Sequence, residues 1–320
     1  MTRWLLLLVL LVPSSAAAQD GPSDEPEPAE VSDTSAIYTA TGAPAGLAEV
    51  VAAARQADAV LFGEQHDDAA AHALQRRLLQ ALVEQTGRPV ILSLEMFERD
   101  VQPVLDEYLA GLVRERDLLA AARPWGNYAD AYRPLVEYAK AEGRPVVAAN
   151  APGRYVSLVG RAGPEALLQL PETARAWLPP LPVAPPSERL AAKFTGWMEA
   201  MAAAHGGGHG GGHGGDSTGA VHGNAVDMDH LLAAQNLRDA TMGHAIAETL
   251  KENPGALVLH LNGTFHSEGA LGVPEHLLRY APGTRVLTLT AKPGDPSLAL
   301  DPERFDGGDG FRVVTRPGQD

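Results

Sequence analysis

The stretch that decides the fold is Ala59-Val60-Leu61-Phe62-Gly63-Glu64-Gln65-His66, where an apolar run passes directly into glycine and polar residues. Short apolar runs of this kind are typical of buried strands. The same change occurs where VILSL meets Glu95, where PVVAA meets Asn150, and where ALVLHLNG leads to His266. In an open parallel sheet, ligands bind in the crevice beyond the carboxyl ends of the strands. The pattern therefore predicts that these polar groups meet in one crevice.

Amphipathic helical stretches separate the apolar runs. Helices are predicted at about 45–57, 68–86, 100–121, 128–142, 187–204, 226–252 and 274–280, and strands at about 58–62, 90–95, 145–149, 256–262, 285–290 and 311–315. Strands that alternate with helices are typical of a parallel sheet with crossover connections. The sequence thus predicts a single α/β domain over residues 37–316, with a mainly parallel central β-sheet flanked by helices.

The N-terminal residues have the pattern of an export signal. Arg3 gives a basic start, Leu5 to Val12 form an apolar run, and small residues lead to Ala18. This run is much shorter than the about 20 residues that span a bilayer. We expect a signal peptide at 1–19, a disordered acidic linker at 20–36, and a periplasmic or secreted protein without a membrane span after cleavage.

Composition excludes several classes of protein. The chain has 25 Lys and Arg against 40 Asp and Glu, a net charge of −15, which disfavours nucleic acid as a partner. It contains no cysteine, so thiolate metal sites, c-type haem attachment, thiol catalysis and a lipid-modified N-terminal cysteine are not expected. Phosphate-binding and dinucleotide-binding glycine motifs are absent, as is a serine nucleophile elbow.

The predicted crevice holds two carboxylates and two imidazoles, Glu64, His66, Glu95 and His266. Such a set is suited to binding a divalent metal ion or to acid–base catalysis. The alternative is structural: Asp67 or Asp68 caps the next helix, and His266 is a histidine of the core. Glu95 directly follows the apolar run VILSL and favours the interpretation as a functional site, because burying a carboxylate without a partner is costly. Asn150 is either part of the site or a helix cap.

A histidine- and glycine-rich segment at 205–223 follows the helix predicted at 187–204. His205, His209 and His213 recur every fourth residue, and imidazoles in a short span bind Zn²⁺, Cu²⁺ or Ni²⁺. The intervening glycines oppose helix formation by about 1 kcal/mol each. The segment is predicted to be a flexible loop that captures metal weakly or is an inert linker.

Aromatic residues cluster at Trp125, Tyr128, Tyr132 and Tyr138 in a chain that has few elsewhere. Helical spacing places Tyr128 and Tyr132 on one face, where they either pack in the core or contact a flat apolar ligand. In the second case a phenolate could ligate ferric iron.

Several stretches together resemble the ChaN-like haem-binding family, a branch of the Tiki/TraB-like and erythromycin-esterase-like superfamily. They are Val60–Asp67, Leu94–Glu98, Gln102–Gly111, Trp125, Tyr132, Ala149–Pro152, Gln235–Met242, Gly263–His266 and Gly272–Pro274. The resemblance covers roughly residues 38–290 in the same order.

This resemblance implies export and a role in haem or iron acquisition, with haem as the cofactor. It also implies a tyrosine ligand within a homodimer that stacks two haems, for which Tyr128 and Tyr132 are candidates beside Asn150. In the wider superfamily, residues corresponding to Glu64, His66, Glu95 and His266 carry out hydrolysis, sometimes with a divalent metal such as Zn, Mn, Co, Cu or Ni. Haem binding is thus the first hypothesis, hydrolysis the second, and metal capture by the 205–223 loop the third.

Overall fold

The computed structural model describes residues 34–205, 227–305, 307–308 and 310–316. The predicted signal and all but the last three residues of the predicted linker lie outside these ranges, as do His209 and His213. The strands are β1 (Ser35–Tyr38), β2 (Pro44–Ala45), β3 (Ala59–Glu64), β4 (Val90–Glu98), β5 (Val146–Asn150), β6 (Leu257–Gly263), β7 (Val286–Pro293) and β8 (Phe311–Thr315). The helices are α1 (Leu47–Ala54), α2 (Ala69–Gln85), α3 (Gln102–Leu109), α4 (Glu115–Ala122), α5 (Tyr128–Ala131), α6 (Arg133–Ala141), α7 (Gly153–Ala162), α8 (Glu172–Arg175), α9 (Glu188–His205), α10 (Met228–Glu252) and α11 (Val273–Tyr280).

In the described part of the chain, the strands form one sheet in the order β2-β1-β8-β7-β3-β6-β4-β5. The pairs from β8 to β5 are all parallel, and the two pairings of β1 are antiparallel. Phe62 of β3 lies opposite Leu261 of β6 and Leu289 of β7. The predicted α/β domain with a mainly parallel central sheet is therefore confirmed, and β3 and β6 are the middle pair of its six parallel strands.

Helices cover both faces of the sheet, which explains why the central strands are apolar at nearly every position. Val60 and Phe62 face a core formed with α1 to α6. Ala59 and Leu61 face α10 and α11 on the other side. Of the helices in the described ranges, none is long and apolar enough to cross a membrane.

Two predicted helices are each divided in the structure. The helix predicted at 100–121 is wrong as one element, since α3 ends before Gly111, which has φ +74°, and α4 begins at Glu115. The helix predicted at 128–142 is interrupted at Tyr132, before Pro134 in the first turn of α6. Proline lacks the amide proton that would continue the hydrogen-bond ladder, so the second break has a local cause.

The edge of the sheet also differs from the prediction. Strand β1 begins at Ser35, two residues before the predicted start of the domain at 37, and neither β1 nor β2 was predicted. Strand β4 continues to Glu98, so Glu95 lies within a strand and not at its end. Its parallel pairing with β6 nevertheless stops at Leu94, which leaves Glu95 beyond the paired region and at the crevice.

Candidate functional site

Glu64 ends β3 with its side chain buried, and its carboxylate is surrounded by donors. Tyr132 Oη–H donates to Oε1, and the Gln75 side-chain amide donates to Oε2. The Nδ1 atom of His72 lies 3.4 Å from Oε2. A buried carboxylate is tolerated only when such partners replace water. Glu64 is therefore fixed in place, and its remaining partner is the imidazole of His66.

His66 carries the accessible imidazole of the crevice, with 45 % of its side chain exposed. Its Nδ1 atom lies 3.0 Å from Glu64 Oε1, so Nδ1 carries the proton. The ring packs edge-on against Trp125, at 4.4 Å between centroids. On its other side is Gly263, where a Cβ atom would approach Nε2 to 3.0 Å. A larger residue at position 263 would therefore require the His66 ring to shift by a few tenths of an ångström.

A second pair lies deeper in the crevice. Glu95 Oε1 is 3.3 Å from His266 Nε2, and Glu95 Oε2 accepts a hydrogen bond of 2.7 Å from the Gly263 amide. On the other side of the ring, His266 Nδ1 is 2.5 Å from Oδ1 of Asp239 on α10. Asp239 is fully buried, and its Oδ2 has no hydrogen-bond partner among the described residues. The three groups form a buried chain of carboxylate, imidazole and carboxylate.

The pKa values of this chain follow from burial and mutual charge. Burial alone would raise the pKa of Glu95, but His266, His66 and the Gly263 amide outweigh it and hold this pKa below its ordinary value. Burial would lower the pKa of His266, but Glu95 and Asp239 reverse the effect and raise it. Burial raises the pKa of Asp239 and outweighs the opposing effect of His266. Glu95 is thus an anion at neutral pH, and Glu95 and Asp239 stabilise the protonated form of His266 against the effect of burial.

Asn150 ends β5 beside the crevice, and its Oδ1 accepts a hydrogen bond of 2.8 Å from the amide of Ala151. The same oxygen lies 3.5 Å from Nη1 of Arg238, the residue that precedes Asp239. The side chain therefore bonds the amide of the next residue and does not cap α7, whose N-cap position is Pro152 without a side-chain hydrogen bond. It also contacts the helix that carries Asp239.

The predicted tyrosines lie in the core. Tyr132 is 1 % exposed and Tyr128 is 4 % exposed. Burial and the adjacent Glu64 raise the pKa of Tyr132, and burial raises that of Tyr128. Both effects oppose the phenolate that iron would require, so ligation by either residue stays a prediction that needs the side chain to leave the core.

The metal ligands predicted from the sequence are distributed as two pairs. Glu64 contacts His66, and Glu95 contacts His266. Across residues 34–205 and 227–316, apart from 306 and 309, no three His, Asp or Glu side chains are arranged to hold a metal ion. His205 ends α9.

Three buried residues of the site were not predicted, Asp239, Gln75 and His72. Asp239 lies three residues before Met242 and seven before Ile246, which are both fully buried on α10. That helical spacing marks Asp239 as facing the sheet, and a buried aspartate needs a partner. Gln75 lies beside Leu74 on α2 and is likewise fully buried.

Asp68 caps α2, as one of the two predicted alternatives states, because its Oδ1 accepts a 3.0 Å hydrogen bond from the amide of Ala71. Beside it, a cavity of about 430 Å³ opens between α2 and α5, with His66 in its wall. Asp67, Arg76, Asn127 and Asp130 also line this cavity.

Among solved structures, the fold is similar to that of ChaN from Campylobacter jejuni, described as binding haem cofacially. The TM-score is 0.61 and the identity 14 %, over 88 % of this chain and 97 % of that one. The type III effector HopBA1 gives a TM-score of 0.47 at 11 % identity, over 85 % and 94 %. A mutant of the erythromycin esterase EreC in its open conformation gives 0.44 at 14 %, over 88 % and 83 %.

At these identities the likeness to solved structures concerns the fold. No curated protein matches the sequence. A family model described as haem-binding uptake, Tiki superfamily, ChaN, matches residues 50–277, which is more than half of the chain. The chain therefore belongs to the ChaN family of haem-binding uptake proteins in the Tiki superfamily.

Proposed function

We propose that this protein is exported and binds haem in the service of haem or iron acquisition, with the iron held by His66. One observation carries the assignment of the ligand. His66 presents an exposed imidazole whose Nδ1 is bound to the buried carboxylate of Glu64. Histidines that ligate metals almost always donate their second ring N–H to a carboxylate, a carbonyl or water.

The surroundings of His66 fit this role. Its main-chain carbonyl lies 3.0 Å from His72 Nε2 and accepts a hydrogen bond from the Asn127 side chain. Trp125 and Gly263 restrict the ring from both sides. These contacts fix the position and orientation of the imidazole before any ligand arrives, which lowers the entropy lost on binding. The haem would supply the iron, and the chain would supply the orientation.

The haem proposal is tested by titrating the purified mature protein with ferric haemin. We expect a saturable shift of the Soret band at micromolar haemin, and His66→Ala should weaken haemin binding at least about tenfold and change the iron spectrum. Sedimentation with and without haemin measures the expected homodimer. A wild-type protein that gives no saturable shift, as monomer or dimer, would contradict the proposal.

A hydrolase is the second candidate, favoured by the buried Asp239–His266–Glu95 chain. Glu95 is held as an anion beside Gly263, where the exposed imidazole of His66 also lies. A carboxylate and an imidazole that lie beside the same glycine are groups that general base catalysis uses to take a proton from water. The outer imidazole would contact the substrate, and the inner chain would hold the charge of Glu95.

For this second function, Glu95→Gln is expected to reduce the rate of hydrolysis by about 10²–10⁴-fold for an ester that the wild-type protein hydrolyses. Glu98→Gln is a suitable control, since Glu98 lies on the same strand and pairs with Arg123 at 2.7 Å. Rates are compared after far-UV circular dichroism has shown both variants to be folded. Equal rates for the wild type and Glu95→Gln would assign any observed hydrolysis to another place or to a contaminant.

A further inference from the structure

An aromatic surface borders the crevice beside His266. Phe265 precedes that histidine, and its ring centroid lies 5.6 Å from the His266 ring and 5.6 Å from Trp197 of α9. Phe194 lies 6.0 Å from Trp197 and 6.3 Å from Phe265. Phe194, Trp197 and Phe265 are called the aromatic platform below.

The aromatic platform is buried at Phe194 and exposed at Trp197. Phe194 is 2 % exposed and fixes α9 to the domain, whereas Trp197 remains 39 % exposed. Met201, one turn after Trp197 on the same face of α9, is 41 % exposed. Large apolar side chains that remain accessible beside a polar crevice indicate a binding surface for an apolar ligand.

Positive charge lies next to the platform. The Nζ atom of Lys193 lies 5.3 Å from the centre of the Phe265 ring and donates a 3.0 Å hydrogen bond to the carbonyl of Glu268. Lys292 Nζ lies 2.6 Å from Glu268 Oε1, so two ammonium groups adjoin one carboxylate. In a chain with a net charge of −15, this concentration of cations favours an anionic group on the ligand.

The cavity on the α2 side of His66 offers less favourable charge. Two carboxylates, Asp67 and Asp130, line it together with Arg76. Gly263, which contacts the His66 ring, is only two residues before Phe265. A ligand bound at His66 can therefore extend either into the cavity between α2 and α5 or over the aromatic platform. The aromatic area and the positive charge both favour the platform.

We infer that the aromatic platform binds the macrocycle of the haem, with its carboxylate side chains directed towards Lys193 and Lys292. The inference rests on the proposed haem binding. The macrocycle is a flat apolar ring, and aromatic side chains stack on such rings in offset or edge-on contact. The platform supplies affinity for the ring, and His66 supplies affinity for the iron.

Two probes separate these contributions, ferric haemin and metal-free protoporphyrin IX. Trp197→Ala is expected to weaken the binding of both at least about tenfold, because it removes ring contact that does not depend on iron. Trp197→Phe should restore most of the affinity. His66→Ala should weaken haemin and leave metal-free protoporphyrin nearly unchanged. Leu112→Ala, at a side chain that is 77 % exposed, controls for adsorption of porphyrin to surface apolar groups and should bind like the wild type.

Haemin is followed by its Soret band and protoporphyrin by its fluorescence, with the full mature chain in each case. If Trp197→Ala binds both probes as tightly as a wild-type protein that does bind haemin, the platform is not the macrocycle site, and the proposed function stands. If the wild type binds neither probe, the proposed function fails and this inference fails with it. If Leu112→Ala loses as much affinity as Trp197→Ala, binding is nonspecific and the inference is overturned.

Discussion

Replacing Asp239 with alanine is expected to lower the free energy of unfolding by about 3–5 kcal/mol, the range for breaking a buried ion pair. The reason is the position of His266, whose Nδ1 lies 2.5 Å from Asp239 Oδ1 and whose pKa is raised. Without Asp239, Nδ1–H is left buried without an acceptor, and only Glu95 remains to stabilise the charge. The folded state is then destabilised, either because an unpaired N–H is buried or because His266 must give up a proton.

Chemical denaturation at pH 7 measures this loss. Asp229→Ala is the matched control, because Asp229 is an exposed aspartate in the first turn of the same helix, where its removal is expected to cost at most about 0.5 kcal/mol. Asp239→Asn should fall between the two, since its amide oxygen still accepts from Nδ1 but carries no charge. A loss below about 1 kcal/mol for Asp239→Ala would show that the ion pair contributes little net stability.

The convergence of the strand-end groups is predictable from the sequence because it depends on local signals. The apolar runs before Glu64 and Asn150 define parallel strands, and parallel strands place their carboxyl ends at one edge. The structure brings Glu64 to 3.0 Å from His66 and Glu95 to 3.3 Å from His266, with Gly263 in contact with both pairs. The prediction of one crevice thus needed only the parallel direction of the strands and the polar residues that follow them.

The partners of these groups depend on packing between distant segments. Asp239 reaches His266 because α10 crosses the sheet in a particular register, and Tyr132 reaches Glu64 because α5 and α6 break where they do. Neither the register of a helix on a sheet nor the angle of a break is encoded in a short window. The spacing of Tyr128 and Tyr132 therefore indicated a common face, but not that the face is buried.

Some errors had a local signal that the periodicity masked. Gly111 interrupts the stretch predicted as one helix, and its φ of +74° is the conformation in which glycine ends helices. Strand β1 had no such signal, since Ser35–Tyr38 is too short to show alternation and is defined by its antiparallel pairing with β8. Edge elements of this kind become visible only when the partner strand is placed.

Acidification from pH 6.5 towards pH 4 is expected to lower the free energy of unfolding by several kcal/mol, mainly through His260 and His276. Burial lowers the pKa of each of these histidines to about 4. The unfolded chain takes up these protons near pH 6.5, whereas the folded protein does so only near pH 4. Each pH unit in this window then costs about 1.4 kcal/mol per histidine, or about 3 kcal/mol each by pH 4.

Other groups act with different signs in the same range. The contribution of His266, whose pKa is raised, is fully present below pH 6.5 and is lost as pH rises through its folded pKa. The contribution of Glu95 is present above pH 4.5 and is lost only in stronger acid. Asp239, whose pKa is raised, favours the folded state as it takes up a proton, and therefore offsets part of the loss.

Unfolding in urea at pH 7, 6 and 5 tests the balance, and His276→Gln isolates one histidine. Glutamine can still donate to Asn236 Oδ1, which His276 Nε2 contacts at 2.9 Å, but it takes up no proton in this range. The variant should therefore lose about 2 kcal/mol less than the wild type between pH 7 and pH 5. Parallel curves for the two proteins would mean that His276 is not buried in its neutral form. His276 lies on the α10 and α11 side of the sheet and not at His66. The His276→Gln variant should therefore give the same spectrum of bound haem at neutral pH as the wild type.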